Sequence, residues 1–428
     1  MRSLVWFTRD LRIHDHPALN AASHAQQMLC VYVVDPRWFQ PRQWQTKAMG
    51  VARWRFLWQS LLTLDKQLRE RQQRLHIAFG IPEQEITRLC EHHGTTHVYA
   101  GQPITADELV RWQGCKDALP EVAFIDVTTT TLLNDMTHML ASPNLPEQFG
   151  QYLPQVLSSE MASRQPITVS ADLILPPAPG VHDDDRGQCP PVVAPSGPSI
   201  EGGERAALAA LDQWQVNAPG SESPWQPLPL SPWIALGCLS VRQVMQRAEA
   251  QQGSDAEDAN ENSTHGALWL REFFQWHARR HWSSMHRRGG IDDKSPMGTF
   301  YPHRFKAWCE GETDDPLVNA AMHALQQCGQ LSLFSRLAIA DYFVTTLQLD
   351  WRYGLAWVQH HALDFDDAVD TFIWQVAAGL THIGRDVLKQ LPSGKTYDDH
   401  AQAFIDLWHG KVKQPMAMHV VDAADWPL

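Results

Sequence analysis

The sequence predicts an α/β domain built on a doubly wound parallel sheet, followed by an all-α domain. Within the first 130 residues, short β-rich runs alternate with segments of helical periodicity, which is typical of strand–helix–strand units with right-handed crossovers. Beyond residue 200, apolar residues recur with helical spacing only. A proline-rich stretch over residues 165–200 predicts a surface linker between the two domains.

The same patterns place the individual elements. Strands are predicted at Leu4–Phe7, Met28–Val34, Leu75–Phe79, His97–Ala100 and Val122–Val127. Helices of the first domain are predicted at Ala48–Gln73, Pro82–His93 and Ala106–Leu119. Helices of the second are predicted at Ala206–Trp214, Val241–Ala250, Leu268–His281, Asp315–Gln327, Leu331–Leu347, Tyr353–His361 and His400–Trp408. We assign residues 1–130 to the α/β domain, 131–200 to the linker and 201–428 to the helical domain.

Composition excludes several classes of protein. Hydrophobic residues make up 44% of the chain and charged residues 19%, which supports a large core and excludes a mostly disordered chain. The net charge of −13 argues against a protein whose whole surface binds phosphate backbones, although one basic groove could persist within that surface. Seven cysteines without a C-x-x-C pair indicate neither a disulfide framework nor a metal site. Without a signal peptide or a long apolar run, the sequence predicts a soluble cytoplasmic protein with no membrane partner.

Tryptophan is unusually frequent. The chain has 18 tryptophans, of which twelve follow residue 200. They could build a helical core rich in large side chains. Alternatively, some could serve electron transfer or stack on a flat ligand. No G-x-G-x-x-G motif follows the first strand, so any nucleotide is not held by a Rossmann fingerprint.

Three segments carry a resemblance to a known family. They are MRSLVWFTRDLRIHDHPAL (Met1–Leu19), LSPWIALGCLSVR (Leu230–Arg242) and LDWRYGLAWVQHHALDFDDAVDTFIWQVAAG (Leu349–Gly379). In this order and spacing they resemble the photolyase/cryptochrome family, nearest its DASH branch. The resemblance implies that the helical domain holds a folded FAD in a mostly apolar pocket.

The resemblance also implies a path for electrons. Trp351 and Trp374 match the inner part of the tryptophan chain that reduces photoexcited flavin in the family. The outermost tryptophan of that chain is replaced here by Phe300 and Tyr301, so the relay could end on Tyr301.

Cofactor contacts follow from the matched positions. Asp364 is expected to pair with Arg336, and Asp366 to accept a hydrogen bond from the flavin ring. Asp370 falls opposite flavin N5, where a protonated carboxyl group could deliver a proton after electron transfer. The alternative for these aspartates is a solvated acidic loop. Ser231 is what remains of the family's phosphate-holding hydroxyls, and Trp269 and Glu272 are further expected cofactor contacts.

DNA repair is implied less completely. Glu272 aligns with the glutamate that touches a pyrimidine dimer in photolyases, but it could equally form a surface ion pair. A basic–aromatic cluster follows it and is either the remnant of a nucleic-acid groove or a solvated helix end. Its members are Arg279, Arg280, Trp282, Arg287 and Arg288.

Other segments depart from the family pattern. Gly329–Arg336 keeps only its last arginine, Gly311–Pro316 gains acidic residues, and Pro227–Ser231 loses two hydroxyls. Arg242 could replace the lost phosphate donors. Leu145–Phe149 resembles the edge of an antenna site and weakly suggests a folate.

The leading hypothesis is a blue-light-responsive FAD flavoprotein that is photoreduced through buried tryptophans. The first alternative is a photolyase, a lyase that splits cyclobutane pyrimidine dimers in damaged or single-stranded DNA. The second is a flavin-free binding protein, because phosphate donors are missing. The sequence does not identify a signalling partner.

Overall fold

The computed structural model describes residues 1–41, 44, 46–133, 145–158, 166–167, 174–180, 186–194, 199–215, 223–252, 264–296, 298–388 and 398–409. The strands are β1 (Arg2–Phe7), β2 (Gln27–Val34), β3 (Leu75–Phe79), β4 (His97–Gly101) and β5 (Ala123–Val127). The helices of the first half are α1 (Pro17–Ala22), α2 (Val51–Arg69), α3 (Pro82–His93), α4 (Ala106–Ala118), α5 (Phe149–Ser158), α6 (Glu204–Gln213), α7 (Ser231–Ala235) and α8 (Val241–Gln252). Those of the second half are α9 (Thr264–Arg280), α10 (Pro302–Glu310), α11 (Pro316–Cys328), α12 (Leu333–Asp341), α13 (Trp351–His361), α14 (Asp367–Ala377), α15 (Arg385–Leu388) and α16 (Asp399–Trp408).

The five strands form one parallel sheet in the order β3-β2-β1-β4-β5. Side chains alternate across it, because successive residues of a strand point to opposite faces. Leu4 and Trp6 of β1 pack with Trp112 of α4 in one core, whereas Val5 and Phe7 join a larger core that continues into the helical part. The sequence prediction of a doubly wound sheet is confirmed.

The order of the strands reverses at β1, which lies between β2 and β4. Ligands of doubly wound sheets commonly bind at the carboxyl ends of the strands beside such a switch point. Here Arg9 and Asp10 follow β1 at this edge, and the Arg279 guanidinium on α9 contacts the Pro103 carbonyl just after β4. The helical part therefore covers this edge of the sheet.

Polar contacts join the two parts of the chain at several points. Arg12 is buried and donates hydrogen bonds to the Gly237 and Thr129 carbonyls (3.0 and 2.8 Å). Gly237 has a φ of +66°, and a Cβ there would lie 1.9 Å from the Arg9 carbonyl oxygen. Only glycine fits this close approach, which fixes the LSPWIALGCLS segment against the end of β1.

Most predicted helices are present within about one turn, but the sequence missed several. The segment predicted as one helix over Leu331–Leu347 is α12 followed by a π-helical turn at Tyr342–Thr346. Helix α14 was not predicted, and the alternative that its aspartates form a solvated acidic loop is wrong. The Asp366 side chain instead accepts the Ala368 N–H and caps the helix, as aspartate commonly does. Missed entirely were α1, α5, α7, α10, α14 and α15.

Within the described ranges, no helix has the length and apolar character needed to cross a membrane.

Candidate functional site

A cavity of about 450 Å³ opens between α7, α9, α12 and α14. Its walls are largely apolar, as is usual where a flat organic ligand is bound. Leu268 and Leu270 of α9, Phe334 of α12, and Val369 and Ile373 of α14 line it. The polar lining side chains expected from the sequence are Ser231, Arg336, Asp364, Asp366 and Asp370.

Arg336 lies between two carboxylates at the cavity wall. Its guanidinium contacts Asp364 at 2.5 Å and also Asp370, and all three side chains are buried. Burial alone would lower the pKa of Arg336, but the two neighbouring carboxylates raise it, so the guanidinium stays charged. Ser231 donates its hydroxyl to Asp364 at 2.8 Å. The structure thus contains the predicted Arg336–Asp364 pair and adds Asp370 to it.

Asp370 is the titratable group of this cluster. Burial raises the pKa of Asp370 to about 6, although Arg336 acts in the opposite direction. One of its oxygens accepts the Asp366 N–H at 3.0 Å. The carboxyl group therefore changes protonation close to neutral pH while it remains in place.

Asp366 is held ionised by groups that the sequence did not predict. Arg271 lies 3.1 Å from it, Arg9 3.3 Å, and the Gln275 amide donates at 3.0 Å. Burial alone would raise the pKa of Asp366, but the two arginines lower it. The position of Arg9 directly after β1, at the edge where such sheets bind ligands, was a signal that could have identified it.

Trp374 lies behind the cavity wall, one helical turn after Asp370. Its indole contacts Trp308 (ring centroids 6.1 Å apart) and Phe343 (5.3 Å). A Cβ on Gly354 of α13 would lie 2.1 Å from the Trp374 ring, so this glycine provides the space for the indole. Trp351 is the first residue of α13 and is also buried. It donates its indole N–H to the Arg288 carbonyl at 3.2 Å.

Glu272 lies elsewhere than the sequence suggested. It is only 1% exposed, so the alternative of a surface ion pair at a rim is wrong, and its expected contacts with a lesion and with the cofactor stay predictions. Its carboxylate accepts the backbone N–H groups of Leu132 and Leu133 (2.5 and 3.1 Å) and the Trp276 indole N–H (3.1 Å). Glu272 is not among the cavity-lining residues that the structure describes, although Leu268, one turn earlier on α9, is.

Trp269 is likewise buried but is not among the cavity-lining residues that the structure describes. Arg242 is also buried, and its Nε–H donates to the Leu132 carbonyl at 3.1 Å, so it does not supply a phosphate contact in the cavity. Both side chains were expected at the cofactor because neighbouring residues matched the family segments. Glu147, at the suggested edge of an antenna site, pairs with His382 at 3.2 Å, and the folate stays a prediction.

The first turn of α12 offers an alternative site for phosphate. Leu331, Ser332 and Leu333 line the cavity beside this turn. The N–H groups of a first helical turn have no acceptor within the helix, and a helix N-terminus attracts anions. Apolar walls, a charged arginine between carboxylates and a helix N-terminus together suit a flavin ring with its pyrophosphate. The fold and the cavity define a flavin-nucleotide-binding protein.

Comparisons with known proteins agree. The model of the family described as DNA photolyase matches residues 3–170, and that described as FAD binding domain of DNA photolyase matches residues 264–425. The chain is 30% identical to a cryptochrome DASH of Idiomarina loihiensis, over 99% of this chain and 95% of the relative. It is 29% identical to a cryptochrome DASH of Vibrio parahaemolyticus, over 99% and 97%.

A solved structure shows the same fold. The crystal structure of a Synechocystis cryptochrome superimposes with a TM-score of 0.82 at 25% identity, over 95% of this chain and 88% of that one. The chain belongs to the photolyase/cryptochrome family and carries its FAD-binding domain. The predicted fold class and the predicted cofactor, FAD, are confirmed.

Proposed function

We propose that this protein is a blue-light-responsive flavoprotein in which Trp374 supplies an electron, and Asp370 a proton, to bound FAD. One observation carries the proposal. Asp370 and Trp374 lie one turn apart on α14, and both are buried. Residues four positions apart lie on the same face of a helix, so the two donors approach the cavity from the same side.

FAD, when bound, absorbs the light and accepts the electron. The residues of this chain are proposed to supply the electron and the proton. Trp374 can lose an electron without contact with water, because it is 1% exposed and surrounded by aromatic rings. Trp351 is proposed as a further donor to Trp374, on the basis of the family resemblance.

Asp370 is proposed to hold the proton for flavin N5. A carboxyl group with a pKa near the working pH is well matched to proton transfer. Arg336 and Asp364 fix its orientation, since the guanidinium contacts both carboxylates. Asp366, kept ionised by Arg271 and Arg9, is proposed to accept a hydrogen bond from the flavin ring.

The absorption spectrum of the purified full chain, before and after blue light with an external thiol, tests this proposal. We expect bound FAD whose blue absorption band decreases under light. Trp374→Phe should prevent this light-driven loss but leave FAD binding and chemical reduction by dithionite unchanged. Trp112→Phe, at a tryptophan buried in the other core, is the matched control. A protein that binds no FAD even after incubation with it would leave the flavin-free binding protein as the explanation.

A light-dependent DNA photolyase is the second candidate. The observation in its favour is that Arg280, Trp282, Arg287 and Arg288 are exposed, with Trp282 at 43%. Exposed aromatic and basic side chains together suit single-stranded nucleic acid. The burial of Glu272 counts against it, because the carboxylate expected to touch a lesion is bonded to the Leu132 and Leu133 N–H groups.

Repair of a dimer-containing single-stranded oligonucleotide under blue light distinguishes the two candidates. Repair that is lost in Arg287→Ser but kept in Arg88→Ser, a change on the outer surface of α3, would favour the photolyase. Photoreduction without repair would favour the photoreceptor.

A further inference from the structure

We propose that Trp308 opens a second electron-transfer branch from Trp374, which ends at Tyr353 near the protein surface. The branch rests on the proposed photoreduction and adds two donors that the sequence resemblance did not suggest. It follows from a continuous series of ring contacts that connects α14, α10 and α13.

The first step joins Trp374 and Trp308. Their ring centroids are 6.1 Å apart with the planes at 76°, and both side chains are at most 1% exposed. Phe343 packs against both indoles, at 5.3 Å from Trp374 and 4.7 Å from Trp308, and excludes water from the space between them. Electron transfer falls off steeply with distance, so an indole in edge-to-face contact is well placed to refill Trp374.

Trp308 is also suited to pass oxidation onward. Its indole N–H is buried and has no hydrogen-bond partner among the residues that the structure describes. An oxidised indole that cannot release its proton stays a radical cation and can be reduced again by the next donor. The Trp351 indole differs, because its N–H is bonded to the Arg288 carbonyl.

The second step leads outward through Phe305. This ring lies 6.3 Å from Trp308 and 6.2 Å from Tyr353, and it bridges the two without itself being oxidised. Phe300 stacks on the other side of Tyr353 at 4.4 Å and fixes the orientation of the phenol ring. Tyr353 retains 7% exposure, so water can receive its phenolic proton.

Tyr353 has one further aromatic neighbour nearer the surface, Trp44, at 5.2 Å. The Arg352 guanidinium lies 4.3 Å above the Trp44 ring. A cation over an aromatic face is attracted to its electrons and therefore opposes removal of one of them. This charge is offset only in part by the hydrogen bonds of Arg352 to Asp350. The branch therefore stops at Tyr353.

The electrons and protons balance along the branch. With FAD bound and excited, Trp374 would give up one electron, Trp308 would give one to Trp374, and Tyr353 would give one to Trp308. Tyr353 loses its phenolic proton to water at the same time and becomes a neutral tyrosyl radical. A small-molecule thiol in solution then returns one electron and one proton to Tyr353 and is itself oxidised to a thiyl radical.

The experiment is time-resolved absorption and EPR of the FAD-loaded full chain after a blue flash. We expect a tyrosyl radical in the wild type and in Trp351→Phe. The tyrosyl signal should disappear in Trp308→Phe and in Tyr353→Phe, while tryptophan oxidation persists in both. Trp112→Phe, far from the branch in the other core, is the matched control and should behave as the wild type. FAD content and melting temperature of each variant show whether the site is intact.

Four outcomes overturn the inference. A tyrosyl radical that survives in Trp308→Phe shows another route to Tyr353. A tyrosyl radical that survives in Tyr353→Phe places the radical elsewhere, for example on the exposed Tyr301. Photoreduction of the wild type without any tyrosyl radical removes the branch but leaves the proposed function standing. Absence of photoreduction in FAD-loaded wild type removes the proposed function and the branch together.

Discussion

Arg9 and Asp366 are separated by 357 positions in the chain and form an ion pair of 3.3 Å. Arg9 follows the first strand of the sheet, and Asp366 caps the helix that carries Asp370 and Trp374. Arg9 also contacts Glu108 at the start of α4, at 2.8 Å. The carboxylate proposed to accept a hydrogen bond from the flavin is therefore held by the α/β part of the protein. We therefore expect flavin binding to be coupled to the docking of the two parts through the Arg9 side chain.

Replacing Arg9 tests that coupling. Arg9→Met removes a partly buried cation from Asp366 and leaves Arg271, Gln275 and the Ala368 N–H to stabilise the carboxylate. We expect the free energy of unfolding to fall by about 1–3 kcal/mol, because hydrogen bonds to buried charged groups are costly to lose. FAD affinity should fall as well. Urea denaturation and flavin titration measure the two effects.

Arg88→Met is the matched control. Arg88 pairs with Glu85 on an exposed helix face, where such a pair contributes about 0–1 kcal/mol. Equal losses in the two variants would show that Arg9 contributes no more than a surface charge.

The protonation of Asp370 predicts a pH dependence. Its pKa is raised from its ordinary value of 3.8 to about 6, so the carboxyl group carries a proton below that pH and loses it above. Proton uptake by flavin after a flash should therefore slow as the pH rises through about 6. Flash photolysis over a pH series with a pH-indicator dye measures it.

Asp370→Asn is the comparison. Asparagine cannot supply a proton, so proton uptake by flavin should be slow at every pH and should not change as the pH passes through about 6. A wild type whose proton uptake keeps the same rate on both sides of that pH would contradict a role for this carboxyl group.

Glu272 should matter for stability rather than for chemistry. Glu272→Ala leaves the Leu132 and Leu133 N–H groups without their acceptor, which we expect to cost about 2–4 kcal/mol. Glu249→Ala, at an exposed position of α8, should change stability by less than about 0.5 kcal/mol. Thermal unfolding of the two variants measures this difference in stability. Normal stability of Glu272→Ala together with loss of DNA repair would reverse our interpretation and restore the lesion contact.

Gly354 should control the position of the electron donor. A Cβ there would lie 2.1 Å from the Trp374 ring, so Gly354→Ala must displace the indole. We expect a loss of about 1–3 kcal/mol from overpacking, despite the gain that alanine normally brings to a helix. Photoreduction should slow while FAD binding persists. In Gly114→Ala on α4, where a Cβ meets nothing within 4 Å, stability should instead rise by about 0.5–1 kcal/mol.

Periodicity and resemblance together predicted much of this protein. Alternation of strands and helices was sufficient for the parallel sheet, because each buried strand has its own run of β-branched and aromatic residues. The matched segments placed Arg336 opposite Asp364 and put both at the cavity. Such features depend on local sequence patterns or on the positions of residues within segments that match the family.

Helix α14 and Glu272 show where these patterns fail. The aspartates of α14 left a solvated loop open as the alternative, yet they belong to a buried helix in which Asp366 caps the first turn and Arg336 pairs with Asp370. The surroundings of Glu272 could not be predicted, because spacing along α9 does not tell which other segments cover it. Only the packing of α9 against the Leu132–Leu133 backbone decided that.

The sequence by itself determined the strands, most of the longer helices, the size of the core and the residue types available for flavin chemistry. Only the tertiary structure decided which of these residues come into contact. Arg9 reaches Asp366, and Trp308 rather than a sequence neighbour packs on the Trp374 ring. The physical reason is that ion pairs and ring contacts act over a few ångströms in space. Residues far apart in the chain come that close only after the two parts have docked and buried their apolar faces.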